Sequence, residues 1–286
     1  MPKPRIALFA LEALPNARAV RRFVADHAGE IAFVGMSNAE RPATGGLVGQ
    51  VRRHLARSGP AFLPYLAVNF GLPDLARLVA PLTQRIAGTT GTPEATPLAT
   101  LCRQHDIPTL TVDDVNGPAV ADLLRRHAPD LIVTFHFDQI LSGATIAAAR
   151  LGGINVHPGL LPRHRGPVPT IHALADGPEA FGVTIHRLAE AIDAGAILAQ
   201  EGAALPADVT ATRAAVLLHA RGRLLLDTVL EAVDRDGAVP EGRTVPVLPY
   251  CPFPDTGFLK AMRRRRRYLT DVGDLREALS LSARGP

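Results

Sequence analysis

Residues 5–35 read RIALFALEALPNARAVRRFVADHAGEIAFVG. Arg5–Ala10 is a short apolar run, Pro15–Ala28 has helical character, and Ile31–Gly35 is a second apolar run. Strand, helix, strand over such a short stretch predicts a βαβ unit with parallel strands. The same alternation resumes downstream. Ile107–Val112, Asp130–Phe135, Gly153–His157, Phe181–His186 and Ala196–Gln200 read as strands. Pro118–His127, Thr145–Arg150 and Pro169–Asp176 read as helices between them. The pattern predicts a doubly wound α/β fold with a mostly parallel sheet over most of residues 1–205.

Two stretches break the alternation. Between Ser37 and Leu101 the chain has helical character interrupted by Pro and Gly, which predicts a helical insertion packed on the sheet. Within it, Leu47–Arg57 carries an Arg-rich face, and Ala61–Phe70 and Leu72–Ile86 are strongly apolar. Phe62, Tyr65 and Phe70 look exposed, which would suit a lid or a dimer contact. The second stretch, residues 206–286, predicts a C-terminal extension of mixed α/β character. It consists of one long helix over Val209–Asp236, one or two short strands in Val245–Phe253, and a basic helix over Lys260–Arg267.

Composition narrows the function classes. Lys and Arg number 31 against 27 Asp and Glu, for a formal charge of +4. Arg263–Arg267 supply five of those charges, so the rest of the chain sums to −1. Such a local excess is weak support for a nucleic-acid binder, and the absence of Trp disfavours single-strand stacking. Two cysteines make no disulfide framework. The apolar start is too short for a signal peptide, and no apolar run reaches a membrane span, so a soluble, reduced, cytoplasmic protein is expected.

Chemistry concentrates in residues 154–200, INVHPGLLPRHRGPVPTIHALADGPEAFGVTIHRLAEAIDAGAILAQ. Asn155 and His157 are two apart in a strand, so both side chains face one side. They fall at the strand's carboxyl end, where open parallel sheets hold ligands. An amide and an imidazole on a Pro-stiffened backbone suit oxyanion stabilisation and proton transfer. Asp193, in a turn before Gly195, could accept from an imidazole and raise its pKa. Five of the ten histidines, His136, His157, His164, His172 and His186, fall in one stretch. None are spaced i, i+4, and no Cys or carboxylate completes a set along the sequence, so no metal is expected. His164 and His172 read as solvated, and His136 as a residue of the cleft.

The joint pattern resembles the folate-dependent formyltransferase family. The residues that carry it are Asn155-Val156-His157-Pro158-Gly159-Leu160-Leu161-Pro162, Arg165-Gly166, Gly182-Val183-Thr184-Ile185-His186 and Asp193-Ala194-Gly195. The resemblance implies a Rossmann-like catalytic domain over 1–205, with the insertion at about 37–101. It implies 10-formyltetrahydrofolate as formyl donor and a small-molecule amine as acceptor, such as an amino sugar nucleotide or a hydroxylated ornithine. Asn155 would donate to the developing oxyanion, a protonated His157 would stabilise it and assist proton movement, and Asp193 would keep His157 charged and position a water that relays protons. The pterin would lie against the backbone of Asp138-Gln139-Ile140-Leu141 and the Asp193 turn. Second readings are a tRNA-directed formyltransferase, a formyltetrahydrofolate deformylase and a non-catalytic folate binder.

The chain departs from the family at three points. Gly159 stands where Ser is usual. The turn Ala10-Leu11-Glu12-Ala13 is not Gly-rich and carries an acid, which removes a phosphate cradle. The tail does not resemble the barrel that tRNA-directed members carry, and the first strand is expected at residue 5, where a deformylase would normally carry a regulatory domain first.

Overall fold

A computed structural model describes residues 3–38, 41, 45–72 and 92–281. Seven strands form one sheet: β1 (Ile6–Ala10), β2 (Ile31–Ser37), β3 (Thr109–Val112), β4 (Leu131–Phe135), β5 (Gly153–His157), β6 (Gly182–Arg187) and β7 (Ile197–Gly202). Their order is β3-β2-β1-β4-β5-β6-β7. β1 to β5 are parallel, and β6 and β7 run antiparallel at one edge. The expected mostly parallel α/β sheet is what forms. Winding reverses between β1 and β4, and a ligand crevice opens at the carboxyl ends of strands in such sheets.

Both faces are covered. On one, α1 (Ala17–Asp26), α3 (Leu98–Gln104) and the second half of the long helix α7 (Ala211–Asp236) pack Phe23, Leu98, Leu226 and Val233 against Leu8, Val133, Val156 and Val183. On the other, α4 (Pro118–His127) sets Val120 and Leu124 against Phe9, Phe33 and Ile132, and the short α5 (Gly143–Ala147) adds Ile146. Continuous apolar strands are what burial on two faces requires. Residues beyond 205 therefore contribute to the main core.

The helices of the insertion and tail build a second core. Phe62 and Tyr65 are buried with Ile171 and Leu174 of α6 (Pro169–Asp176), Leu218 of α7, and Leu259 and Met262 of α8 (Thr256–Arg264). Their exposed appearance in sequence is corrected, because the surface that covers them lies some two hundred residues away. Phe70 is half-buried and stacks on His136 at 6.1 Å. The insertion's basic helix forms as α2 (Gly46–Ser58), with Arg52, Arg53 and Arg57 exposed. The apolar run Leu72–Ile86 lies outside the described residues after Leu72.

The expected strands in Val245–Phe253 do not form, which leaves the tail helical. Pro246, Pro249 and Pro252 remove ladder donors, and side chains of other elements bind the segment's carbonyls. Among the described residues of the tail, only Arg243 forms a β-bridge to β7. The basic helix ends at Arg264, earlier than expected, and Arg266 has a left-handed φ of 56°. Cations beside the free carbonyls of a helix end are favourable. α9 (Val272–Ser280) closes the described chain with a capping box at Asp271.

The acid in the β1–α1 turn has a structural partner. Glu12 pairs with Arg21 at 2.6 Å, the Arg side chain being wholly buried. Arg21 Nη1 also donates to the carbonyls of Glu94 and Leu281 at 3.0 and 3.1 Å, and Glu12 accepts from the Leu98 N–H. The pair ties α1, the start of α3 and the end of α9 to the first strand. Arg21→Leu leaves Glu12 buried without its ion partner, so a loss of about 3–5 kcal/mol is expected. Urea denaturation should show a correspondingly lower midpoint with an unchanged slope.

Candidate active site

Strand register assembles the site in two rows. Thr134, Asn155 and His186 are directly opposite one another across β4, β5 and β6. Thr134 Oγ1 donates to Asn155 Oδ1 at 2.6 Å, and Asn155 Nδ2 lies 3.0 Å from His186 Nε2. His186 Nδ1 is 2.8 Å from the Arg187 carbonyl, which can only accept. Nδ1 therefore carries the proton, and Nε2 accepts from Asn155. The amide is fixed at both ends and retains one N–H for a further acceptor.

In the second row, His157 is opposite Thr184 and Thr184 is opposite Gln200. Thr184 Oγ1 donates to the Gly159 carbonyl at 2.6 Å, and Gln200 Nε2 donates to the Leu161 carbonyl at 2.7 Å. These bonds hold the Pro-rich loop after β5. His157 is 3% exposed. Its Nε2 donates to the His164 carbonyl at 3.2 Å, while Nδ1 faces Asp193 Oδ2 at 3.7 Å. A Cβ on Gly159 would lie 3.0 Å from His157 Nε2 and 2.9 Å from Pro169 Cβ. The glycine that departs from the family pattern thus gives the imidazole its room.

Asp193 has a left-handed φ of 49°, which Asp tolerates. The Gly166 N–H donates to its Oδ2 at 2.8 Å. Gly166 itself has φ 131°, and a Cβ there would meet the Cys251 carbonyl oxygen at 2.2 Å, so only glycine fits. Arg165, nearly buried, donates from Nε to the Ile192 carbonyl at 3.0 Å, from Nη2 to the same oxygen, and from Nη1 to the Leu248 carbonyl at 2.5 Å. The Arg-Gly pair of the sequence pattern is the clamp that sets the Asp193 turn.

The electrostatics follow from burial. Burial would raise the pKa of Asp193, but the imidazoles of His157 and His186 and the Gly166 N–H outweigh it and hold the carboxyl at about 2. For His157, burial lowers the pKa and the Asp193 charge only partly opposes it. Burial thus works against the cationic form expected for His157, and the Asp193 charge works for it. Two further histidines lie in this interior. His219 of α7 is fully buried and held down to about 3 by burial and by His136, whose own burial brings it to about 4. Their rings are 5.5 Å apart.

Other expectations fare differently. Ligand atoms of His157, His186 and Asp193 lie within 4.8 Å of one another, so a carboxylate does complete a set that sequence spacing could not reveal. The hydrogen bonds, however, engage the His186 Nε2 lone pair with Asn155. His164, read as solvated, is buried and 2.7 Å from Asp176, and His172 donates to the Pro252 carbonyl. In the segment after β4, Asp138 binds Arg41 and Ser37. Gln139 bridges Ser37 and the Val112 and Val115 backbone, Leu141 is core, and Ile140 exposes its side chain. A ligand here would meet backbone and Ile140, with the other three side chains turned to protein.

Residues 75–229, more than half of the chain, match the family described as formyl transferase. The chain belongs to the formyl transferase family. All of Asn155, His157, His186 and Asp193 fall inside the matched range. Over 129 residues the chain is 40% identical to a methionyl-tRNA formyltransferase of Chlorobium phaeovibrioides, an alignment covering 45% of this chain and 40% of that protein. The chain thus spans less than half the length of that relative. The fold resembles glycinamide ribonucleotide transformylase 1 from Symbiobacterium toebii, with a TM-score of 0.56, 18% identity, and coverage of 86% and 95% of the two chains. It also resembles a sugar N-formyltransferase from Shewanella sp FDAARGOS_354, with a TM-score of 0.53, 18% identity, and coverage of 98% and 87%. Among the described residues, no helix of this formyl transferase family member is long and apolar enough to cross a membrane.

Proposed function

We propose that this chain moves a formyl group from 10-formyltetrahydrofolate to the amine of a small molecule. Amino sugar nucleotides and hydroxylated amino-acid derivatives are the leading acceptor classes. The observation that carries the reading is the fixed Asn155 amide, with one N–H free, beside the His157–Asp193 pair.

The folate donor supplies an activated formyl carbonyl when bound. The exposed Ile140 offers an apolar edge to a planar ring, and the backbone of Asp138–Leu141 and of the Asp193 turn offers its polar groups. Asn155 donates its free N–H to the carbonyl oxygen that gains negative charge as the amine adds. Its hydrogen bonds to Thr134 and His186 hold that donor in advance, so little reorganisation is needed. His157, neutral at rest, takes the amine's proton at Nδ1. Asp193 would then stabilise the imidazolium so formed, which would return the proton to the departing nitrogen as the donor's C–N bond breaks and tetrahydrofolate leaves. Burial keeps competing water from the imidazole.

The test is an amine panel incubated with 10-formyltetrahydrofolate and read by mass spectrometry. One amine should gain a formyl group as tetrahydrofolate appears. Formate release without any amine would favour the deformylase reading. The tRNA-directed reading has one specific support, the exposed Arg263–Arg266 run at the end of α8. It requires acceptor binding that falls steeply with salt and loses that dependence when the run is neutralised.

A further inference from the structure

The segment Val245–Pro254 is a strap pinned along its backbone. Arg165 donates to the Leu248 carbonyl at 2.5 Å, and the Cys251 N–H donates to the Arg165 carbonyl at 2.7 Å. His172 Nε2 donates to the Pro252 carbonyl at 2.9 Å, Arg57 Nε to the Phe253 carbonyl at 2.8 Å, and Ser58 Oγ to the Pro254 carbonyl at 2.6 Å. So many charged and buried donors on one proline-rich stretch fix its path closely. Between two of the pinned positions lies Tyr250.

The Tyr250 ring lies against Gly166. Its Cε2 is 3.2 Å from where a Cβ on Gly166 would stand. The N–H of that same glycine holds Asp193. The ring is therefore one residue's thickness from the carboxylate opposite His157. Burial and the charge of Asp193 both raise the phenol's pKa, so it keeps its proton. Yet Tyr250 is 45% exposed, and its hydroxyl has no hydrogen-bond partner among the described residues. A rigidly carried aromatic with a free O–H beside the half-buried carboxylate that faces His157 has the form of a ligand contact.

We propose that Tyr250 contacts the acceptor, packing its ring against it and donating its hydroxyl to an oxygen or nitrogen on it. The assignment to acceptor and not donor follows from the elements involved. The strap is pinned to the loop after β5, to α6 and to α2 and to none of the segment after β4; it also adjoins the Asp193 turn, which serves the donor, so donor binding is the control that separates the two ligands. The inference rests on the formyl-transfer reading, and the strap makes the chain beyond the catalytic core part of acceptor selection.

The test compares wild type, Tyr250→Phe and Tyr250→Ala with the amine that gains a formyl in the panel. Tyr250→Phe should raise the acceptor KM by about fivefold, the worth of one neutral hydrogen bond. Tyr250→Ala should raise it by tenfold or more, and kcat should change by less than threefold in both. Binding of 5-formyltetrahydrofolate, a stable stand-in for the donor, should be unchanged by calorimetry, as should the melting temperature. Wild-type acceptor KM in both variants overturns the proposal, and so does a parallel loss of folate binding or thermal stability. If wild type formylates no amine, the formyl-transfer reading itself falls, a result separable from an active wild type with indifferent Tyr250 variants.

Discussion

Asp193→Asn is expected to lower kcat for formyl transfer by about 10²–10⁴-fold while leaving the fold intact, the range typical of positioned acid–base groups. The side chain sits at φ 49°, a region that Asn occupies as readily as Asp. Its amide oxygen can still accept the Gly166 N–H now 2.8 Å from Oδ2. What is lost is the negative charge facing His157 Nδ1 at 3.7 Å. That charge matters most after the imidazole has taken a proton, because burial disfavours the imidazolium. The acceptor KM should move little, since Asp193 acts on the proton. Asp193→Ala should show the same loss of kcat together with a lower melting temperature, because the Gly166 N–H then has no acceptor. Near-wild-type turnover in Asp193→Asn would falsify the role given to the pair.

The fold was legible because β1, β2, β4 and β5 are mostly apolar and buried on two faces, β3 at the edge being partly exposed. Leu131–Phe135 carries one polar residue, Thr134, and Gly153–His157 carries Asn155 and His157 at its carboxyl end. Asn155, His157 and Asp193 were legible for a related reason. A period of two aligns the first pair, and a turn residue before glycine marks the third. Strand pairing is where sequence reading stopped. His186 lies thirty-one residues from Asn155, yet register sets it directly opposite. Its role in orienting the amide appears only once β6 is known to run antiparallel to β5. Long-range packing hid the rest. Phe62 looks exposed until α8 covers it, His164 looks solvated until Asp176 meets it, and Arg21 is indistinguishable in sequence from the surface Arg22 beside it. Tyr250 carried no motif, since its significance comes from the backbone on which it rests.

Acid should unfold this protein well before its carboxylates protonate. His219 is buried and His136 half-buried, with pKa values held to about 3 and about 4 by loss of water, and burial lowers His157 as well. In the unfolded chain all three titrate near 6.5. Below that pH the unfolded state binds protons that the native state refuses, so stability falls as pH falls until the native pKa values are reached. Each group contributes a slope approaching about 1.4 kcal/mol per pH unit, so His136 and His219 alone give about 3. Against a typical total of roughly 5–15 kcal/mol, that slope brings the midpoint into reach above pH 4. Asp193 works in another window. Its lowered pKa contributes stability that is present above about 4 and lost only as pH falls towards 2. His27, raised by its hydrogen bond to Asp227 and its pairing with Glu30, contributes fully below 6.5 and loses that contribution as pH rises through its native pKa, so it does not flatten the acid slope. Urea midpoints at pH 7.5, 6 and 5 should therefore drop steeply. His219→Leu should flatten the drop by about one protonating group, because leucine fills the site, and the lost bond frees only the Ala215 carbonyl of the same helix. A midpoint that stays level from pH 7.5 to 5 would mean that these rings are charged in the native state, and the neutral interior behind His157 would have to be abandoned.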